Sequence, residues 1–216
     1  MDPQIYLEAL VARYPALAGA REEIQRSYEL LHASLRQGGK VLLAGNGGSC
    51  ADAEHIVGEL MKGFVKRRPV SADLRKKLQA ADGVLGRALA DRLQVGLPAI
   101  ALSNHAALNT AFSNDVDGAM TYAQQVNGYG RKGDVYWGIS TSGNALDVCY
   151  AAVVARAKGM KVIGLSGRDG GRLRQYCHSM ICVPEQETYK IQELHLPIYH
   201  TLCLMLEESL CPDQPQ

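Results

Sequence analysis

Short, wholly apolar runs that alternate with helical segments constrain the fold of this chain more than any other feature. The first run, Lys40–Ala44, ends at a glycine, and residues 49–61 after it have the pattern of a helix. Four further runs follow, at 98–102, 134–139, 161–165 and 179–183, and the first three of these lead into helical segments. Such strands are typical of a sheet covered on both faces, and their alternation with helices indicates right-handed crossovers. The pattern predicts an α/β fold, a three-layer α/β/α sandwich with a five-stranded parallel sheet.

Further helices are predicted at both ends of this alternating region. Apolar residues recur at helical spacing through residues 5–37, with an interruption near 15–19, which predicts two amphipathic helices. The chain closes with a long helical pattern from about Tyr189 to Leu210. Pro197 within it removes one amide donor, so we expect a kink or a local distortion there.

A polar stretch interrupts the pattern after the first strand and helix. Residues 66–96 are rich in Lys, Arg and Asp, and Ser71 is placed to cap a helix over 72–80. We interpret this stretch as an insertion into a single domain that spans residues 1–216.

Charge and cysteine content narrow the class of protein. The 23 Lys and Arg residues are balanced by 22 Asp and Glu residues, so no overall positive field exists to hold nucleic acid or an anionic membrane directly. The six cysteines form no CxxC pair, and no segment has the pattern of a signal peptide or a membrane span. We expect a soluble, cytoplasmic protein in which any anion site is local.

Two loops rich in glycine and hydroxyl residues follow predicted strands and precede predicted helices. Gly45–Ser49 reads GNGGS, and Ser140–Asn144 reads STSGN. In open α/β sheets ligands bind beyond the carboxyl ends of the strands, where backbone N–H groups and helix N-termini are available. Either loop alone is as well explained as a capped turn. Three consecutive hydroxyl residues exceed what one helix cap needs, and the two loops together predict binding of a phosphorylated sugar.

Nucleotide binding is less favoured by the same loops. No lysine follows them as in a Walker A motif, and neither matches the GxGxxG dinucleotide pattern. A third glycine-rich loop, Ser166–Gly171, is interpreted as shaping the fold or a subunit contact rather than holding the ligand.

Ionisable residues on two predicted helices are candidates for proton transfer. His55 and Glu59 are four residues apart, so they project from one face of the helix that follows GNGGS. Gln192 and His200 lie about two turns apart on the final helix, with His195 between them. We favour a structural role for His195 and a functional role for Glu59 and His200.

Taken together, these motifs resemble those of the sugar isomerase (SIS) domain family, and within it those of the phosphoheptose isomerases. The resemblance runs from about Gly39 to Leu210 through GNGGSCADAEHIVGEL, SNDV, GISTSGNALDV, GMKVIGLSGRDGG and IQELHLPIYH. It implies a homotetramer with active sites between subunits. It also implies an aldose-ketose isomerase that converts sedoheptulose 7-phosphate to D-glycero-D-manno-heptose 7-phosphate by moving a proton between C1 and C2.

The resemblance further implies a role for each candidate site residue. The general base falls on Glu59 and the general acid on His200, which are suited to taking a proton from carbon and supplying one to oxygen. Zinc, present in some members, would be held by His55, Glu59, Gln192 and His200. Contacts to the substrate and its phosphate fall on Asn46, Gly47, Ser49, Asn114, Asp115, Ser140, Thr141, Ser142 and Gln192.

The sequence departs from the family pattern at three positions besides the insertion. Ala145 replaces the usual hydroxyl after STSGN, which removes one expected phosphate donor. Tyr189 stands where an acidic residue is expected, three positions before Gln192. Gly63, beside Lys62, stands where an arginine is expected.

A noncatalytic role is the alternative. Some relatives bind the replication initiator DnaA, and other SIS domains sense sugar phosphates, which requires the phosphate loops without the acid and base. Retention of Glu59, Gln192 and His200 together favours the enzyme.

Overall fold

The fold is built on one parallel sheet. The computed structural model describes residues 2–211, so the predicted domain limits at 1 and 216 lie outside it. The strands are β1 (Val41–Ala44), β2 (Ala99–Ala101), β3 (Val135–Ile139), β4 (Lys161–Gly167) and β5 (Ser179–Val183), in the spatial order β2-β1-β3-β4-β5. All four pairings are parallel. The predicted fold class is therefore confirmed, and β4 extends two residues beyond its predicted end, because Ser166 and Gly167 still pair with β5.

Successive strand residues face two separate hydrophobic cores. Leu43, Trp137 and Ile163 belong to one core, whereas Leu42 and Tyr136, their neighbours along the strands, belong to the other. All five of these side chains are fully buried. Side chains alternate across a strand, so an entirely apolar strand requires a helical layer on each face.

Two groups of helices supply these layers. The helices are α1 (Gln4–Arg13), α2 (Arg21–Arg36), α3 (Gly48–Met61), α4 (Ala72–Ala81), α5 (Leu85–Arg92), α6 (Ala106–Phe112), α7 (Thr121–Tyr129), α8 (Leu146–Ala157) and α9 (Thr188–Leu210). The buried residues of α1, α2, α3 and α9 join the core with Trp137, and those of α7 and α8 join the core with Tyr136. The two predicted N-terminal helices are present, joined by a 3₁₀ turn over Pro15–Ala20.

The polar stretch after α3 folds into a hairpin of two helices. Ser71 Oγ accepts a hydrogen bond from the Leu74 amide at the start of α4, as its position in the sequence predicts. The second helix, α5, was not predicted. Gly86 lies directly against the Leu78 backbone, where an added methyl group would be 1.9 Å from the Leu78 oxygen, so the two helices pack closely.

A buried ion pair joins the start of this stretch to the final helix. The Arg68 and Glu207 side chains are 0% and 1% exposed, and Arg68 Nε lies 2.7 Å from Glu207 Oε1. Glu207 also accepts from the backbone amides of residues 64–66. Arg68 donates in turn to the carbonyl oxygens of Leu60 and Glu59 at the end of α3. The pair therefore fixes the end of α3, and Glu59 with it, against α9.

The final helix, α9, is continuous through Pro197. The Pro197 carbonyl accepts a hydrogen bond from the Thr201 hydroxyl. Within residues 2–211, no helix is both long enough and apolar enough to cross a bilayer.

Replacing Glu207 with glutamine should destabilise the protein strongly. The change leaves the Arg68 guanidinium buried without its counter-charge, which costs about 3–5 kcal/mol of unfolding free energy. Urea unfolding measures this loss. Asp73→Asn is the matched control, since the Lys77–Asp73 pair is 71% and 72% exposed, and it should change stability by about 0.5 kcal/mol or less.

The effect of Glu207→Gln should also depend on pH in a defined direction. Burial raises the pKa of Glu207, but the amides of Val65 and Phe64, Arg68 and the Lys66 amide outweigh it, so the pKa is lowered. A lowered carboxyl pKa stabilises the fold above the ordinary carboxyl range, and the stabilisation is lost as the pH falls. The difference between wild type and variant should therefore shrink in acid, and a constant difference would contradict this assignment.

Candidate functional site

The GNGGS loop makes the tight turn between β1 and α3. Gly47 has φ 55°, in the left-handed region that favours glycine. A methyl group on Gly45 would lie 2.5 Å from the Ser49 carbonyl oxygen, so no larger residue fits there. The loop therefore brings its backbone close to the N-terminus of α3, where amides and the helix dipole favour an anion.

The STSGN loop makes the equivalent turn between β3 and α8 and is held by the third glycine-rich loop. Gly143 has φ 65°, and a methyl group there would lie 2.0 Å from the Gly170 carbonyl oxygen. The amides of Leu173 and Arg172 donate to the Gly143 carbonyl and the Asn144 side chain. Residues 170–173 thus support the hydroxyl loop from behind, in agreement with a structural role for Ser166–Gly171.

The two loops enclose one cavity. Because β1 and β3 are adjacent and β2 lies on the other side of β1, the cavity is at the switch point of the sheet, where ligands of such folds bind. Its volume is about 380 Å³. Its lining residues are Asn46, Gly47, Gly48, Ser49, Ile139, Ser140, Thr141, Ser142, Ala145, Thr188 and Gln192.

Side chains around the cavity fix the Asn46 amide. Asn46 Nδ2 donates to both carboxylate oxygens of Asp147, at 3.0 and 2.8 Å. Tyr122 donates to the Gly45 carbonyl at 2.8 Å and lies 3.4 Å from Asn46 Oδ1. Asp147 and Tyr122 were not singled out from the sequence, because their contacts with this loop join distant parts of the chain.

The predicted acid and base lie on either side of His55. His55 Nε2 lies 3.3 Å from Glu59 Oε1 and 3.4 Å from His200 Nε2. Lys62, beside the position of the missing arginine, places its Nζ 3.0 Å from Glu59 Oε2. Helices α3 and α9 thus bring His55, Glu59 and His200 close to one another. The ammonium group of Lys62 lies beside Glu59 in the same cluster.

Burial and neighbouring charges shift the pKa values of groups in this cluster. Burial, and then the positive charge that His55 can carry, lower the pKa of His200, with Glu59 opposing them. Burial raises the pKa of Asp52 to about 6, against opposing effects of Tyr199 and His55. Burial also raises the pKa of the Tyr199 hydroxyl, and the Asp52 carboxylate raises it further. A lowered pKa keeps the His200 imidazole neutral at neutral pH.

The remaining candidates lie apart from this cluster. Gln192 belongs to the cavity, where a methyl group on Gly48 would be 2.4 Å from its Nε2. Asn114 and Asp115 are exposed in the segment after α6, hydrogen-bonded to each other, and do not line the cavity. His195 is fully buried, and burial lowers its pKa to about 4 despite an opposing contribution from the Ser166 backbone.

The described residues contain no ready-made metal centre. Among residues 2–211, no group of three or more His, Cys, Asp or Glu side chains is arranged to hold a metal ion. The two contacts of His55 Nε2, at 3.3 and 3.4 Å, nevertheless match the separation of about 3.3 Å between ligand atoms around a tetrahedral zinc ion. The fourth predicted ligand, Gln192, precedes His200 by two helical turns, a rise of about 12 Å.

Comparison with known proteins places most of this chain in one family. The family model described as SIS domain matches residues 6–92 and 84–167. The chain is 39% identical to phosphoheptose isomerase of Burkholderia pseudomallei over 187 residues, which is 87% of this chain and 82% of the relative. It is 40% identical to phosphoheptose isomerase of Helicobacter hepaticus over 186 residues, which is 86% of this chain and 82% of the relative.

Solved structures show the same likeness. Phosphoheptose isomerase of Neisseria gonorrhoeae superposes with a TM-score of 0.67 at 30% identity, covering 93% of this chain and 98% of that one. A phosphoheptose isomerase from Francisella tularensis superposes with a TM-score of 0.72 at 27% identity, covering 94% and 98%.

Gly143→Ala should damage both the stability of the protein and its anion site. The positive φ and the Gly170 contact leave no room for a side chain, and such strain costs about 1–3 kcal/mol. Urea unfolding and calorimetric titration with inorganic phosphate measure the two losses. Gly128→Ala is the control, because no atom lies within 4 Å of the added methyl group. Wild-type stability and wild-type phosphate binding in Gly143→Ala would show that this turn does not form the site.

Proposed function

Since this chain belongs to the SIS domain family and, within it, to the phosphoheptose isomerases, we propose that it converts sedoheptulose 7-phosphate to D-glycero-D-manno-heptose 7-phosphate. The observation that carries the proposal is the pairing of a phosphate-type cavity with the Glu59–His55–His200 cluster along the same two helices. Ser49 and His55 are six residues apart on α3, a rise of about 9 Å. The phosphate and the reacting carbons of this substrate lie at opposite ends of a seven-carbon chain, which suits that separation.

The phosphate would be held by the hydroxyl groups of the two loops. Ser49 and Ser140 are 3% and 6% exposed, so each is positioned within the folded loops rather than free in solvent. With Thr141, Ser142 and the N-terminal amides of α3, they present donors to a dianionic group. Gly47 allows the backbone to approach, and Asn46 and Gln192 are placed for the sugar hydroxyls.

Isomerisation needs a proton taken from one carbon and a proton supplied to oxygen. Glu59, 13% exposed in its side chain, acts as the base, and the Lys62 ammonium group beside it balances its charge. His200 acts as the acid: as a neutral imidazole it donates an N–H hydrogen bond to the oxygen on which charge develops. In the second half of the reaction Glu59 returns its proton to the neighbouring carbon, and His200 recovers a proton from the other oxygen.

A zinc ion is part of this proposal. His55, Glu59 and His200 have the donor chemistry for it, whereas Gln192, the fourth ligand implied by the family, lies about two helical turns away and lines the cavity instead. When bound, zinc would polarise the substrate carbonyl as a Lewis acid.

Assembly and location complete the proposal. Asn114 and Asp115 contact substrate hydroxyls in the proposed complex, and since they do not line the cavity within one chain, we propose a homotetramer whose neighbouring subunits complete each site. All six cysteines are free thiols, which supports a cytoplasmic location.

Glu59→Gln and His200→Ala should each abolish most of the turnover. Removing one general acid or base lowers kcat by about 10²–10⁴-fold. A coupled assay on sedoheptulose 7-phosphate measures this loss. Glu54→Gln is the control on the same helix, because Glu54 is exposed and contacts Cys50 and Ser103 instead. An intact protein that forms no heptose 7-phosphate would refute the isomerase assignment.

Ala145→Ser should improve binding of the substrate phosphate. Ala145 lines the cavity and precedes α8, which has no side-chain cap at its N-terminus. A hydroxyl there would add a charge-assisted hydrogen bond of about 1–3 kcal/mol, so KM should fall about 5-fold or more. Ala51→Ser, on the exposed face of α3, should leave KM unchanged. A KM that stays the same or rises in Ala145→Ser would place the phosphate elsewhere.

A further inference from the structure

A second cavity lies in the insertion, at the open end of the α4–α5 hairpin. Its volume is about 530 Å³, within the range of sites that hold small molecules. It shares no lining residue with the cavity of the two hydroxyl loops. We call it the hairpin cavity, and its polar lining residues are Arg67, Arg75, Asp91, Arg92 and Gln94.

Backbone contacts join the two ends of the insertion beside the hairpin cavity. The Val95 amide donates to the Arg68 carbonyl at 2.7 Å, and Pro69 and Gln94 form an antiparallel bridge. Gln94 Oε1 accepts a hydrogen bond from the Gly63 amide at 2.6 Å. Because the side-chain oxygen of Gln94 is engaged with the backbone, its Nε2 amide group is the part left to meet a ligand.

Positive charge exceeds negative charge in the lining of this cavity. Arg75 Nη1 lies 2.7 Å from Asp91 Oδ1, and Asp91 is the one carboxylate among the lining residues. The exposed side chains of Arg67 and Arg92 have no hydrogen bond or ion pair with any residue in the range 2–211. Two of the three guanidinium groups therefore lack a counter-charge within the described chain.

The groups left to contact a ligand are donors. A guanidinium group has five N–H donors and no acceptor, and the Gln94 amide nitrogen also donates. A phosphate group supplies acceptor oxygens and carries a charge of about −1.5 to −2 at neutral pH, so it can balance two guanidinium groups, whereas a single carboxylate balances one. Arginine also pairs with phosphate through two parallel hydrogen bonds.

We propose that the hairpin cavity binds a small phosphorylated molecule through Arg67, Arg92 and the Gln94 amide, with Asp91 holding Arg75 beside them. A nucleic acid backbone suits this place less well, since the arginines surround one cavity and the whole chain has a net charge of only +1. The site is separate from the two hydroxyl loops, so the proposal does not rest on the isomerase function.

Calorimetric titration of the intact protein with pyrophosphate tests this site. Wild type should bind one pyrophosphate at the hydroxyl loops and another at the hairpin cavity. The double variant Arg67→Gln, Arg92→Gln should lose the second, because each lost charge-assisted contact weakens binding by about 10-fold. Arg87→Gln is the matched control, since Arg87 is exposed on α5 but does not line the cavity, and it should bind as wild type does.

Further variants separate this site from the hydroxyl loops. Gly143→Ala should lose the loop pyrophosphate and keep the one in the hairpin cavity. If wild type binds only a single pyrophosphate, and the double arginine variant abolishes it, the loop site fails and this proposal stands. Unchanged binding in the double variant, or an equal loss in Arg87→Gln, would overturn the proposal.

Arg92→Lys covers failure of the double variant to fold. It keeps the positive charge but removes the planar fork that pairs with phosphate, so binding at the hairpin cavity should weaken in this variant also. An unchanged affinity in Arg92→Lys would count against the proposed contact.

Discussion

The parallel pairing of β1 with β3 is the constraint on which the rest of the structure depends. These strands are distant in sequence, yet Ala44 pairs with Gly138 at their carboxyl ends, so the two loops leave the sheet side by side. Since β2 lies on the other side of β1, the chain runs away from this point in both directions and leaves a crevice between the loops. Two hydroxyl-bearing turns from distant parts of the chain come to line one cavity through this pairing.

The second requirement is the side-by-side packing of α3 and α9 on one face of the sheet. Gly48 lies against Gln192 at one level, and His55 contacts Tyr199 and His200 about two turns further on, so the two helices run in the same direction. The cavity and the candidate acid and base are consequently arranged along the same two helices. The buried Arg68–Glu207 pair closes the far end by joining α9 to the last carbonyls of α3. The insertion thus begins with a contact that supports the Glu59 helix.

Much of this arrangement could be predicted from the chain because local chemistry specifies it. Apolar strands, helical periodicity and the Ser71 cap require only neighbouring residues, and most of these predictions agree with the structure. The segment after β4 differs, since it forms only a 3₁₀ helix over Gly171–Tyr176. Helix α5 was missed because its polar sequence resembles the surrounding insertion, and its pairing with α4 depends on Gly86 meeting the Leu78 backbone. The placing of Gln192 and His200 two turns apart was also predictable, but their separate neighbours were not.

The sequence by itself determined the alternation of strands and helices, the two loops and the identity of the candidate acid and base, because each depends on residue type and short-range spacing. Only the tertiary structure decided which groups meet. It placed Asn46 against Asp147, Lys62 against Glu59 and Tyr199 against His55, and it buried His195 in the core. Contacts of this kind arise from the packing of elements separated by tens of residues, and no local pattern in the chain encodes the distance at which two such side chains come to lie.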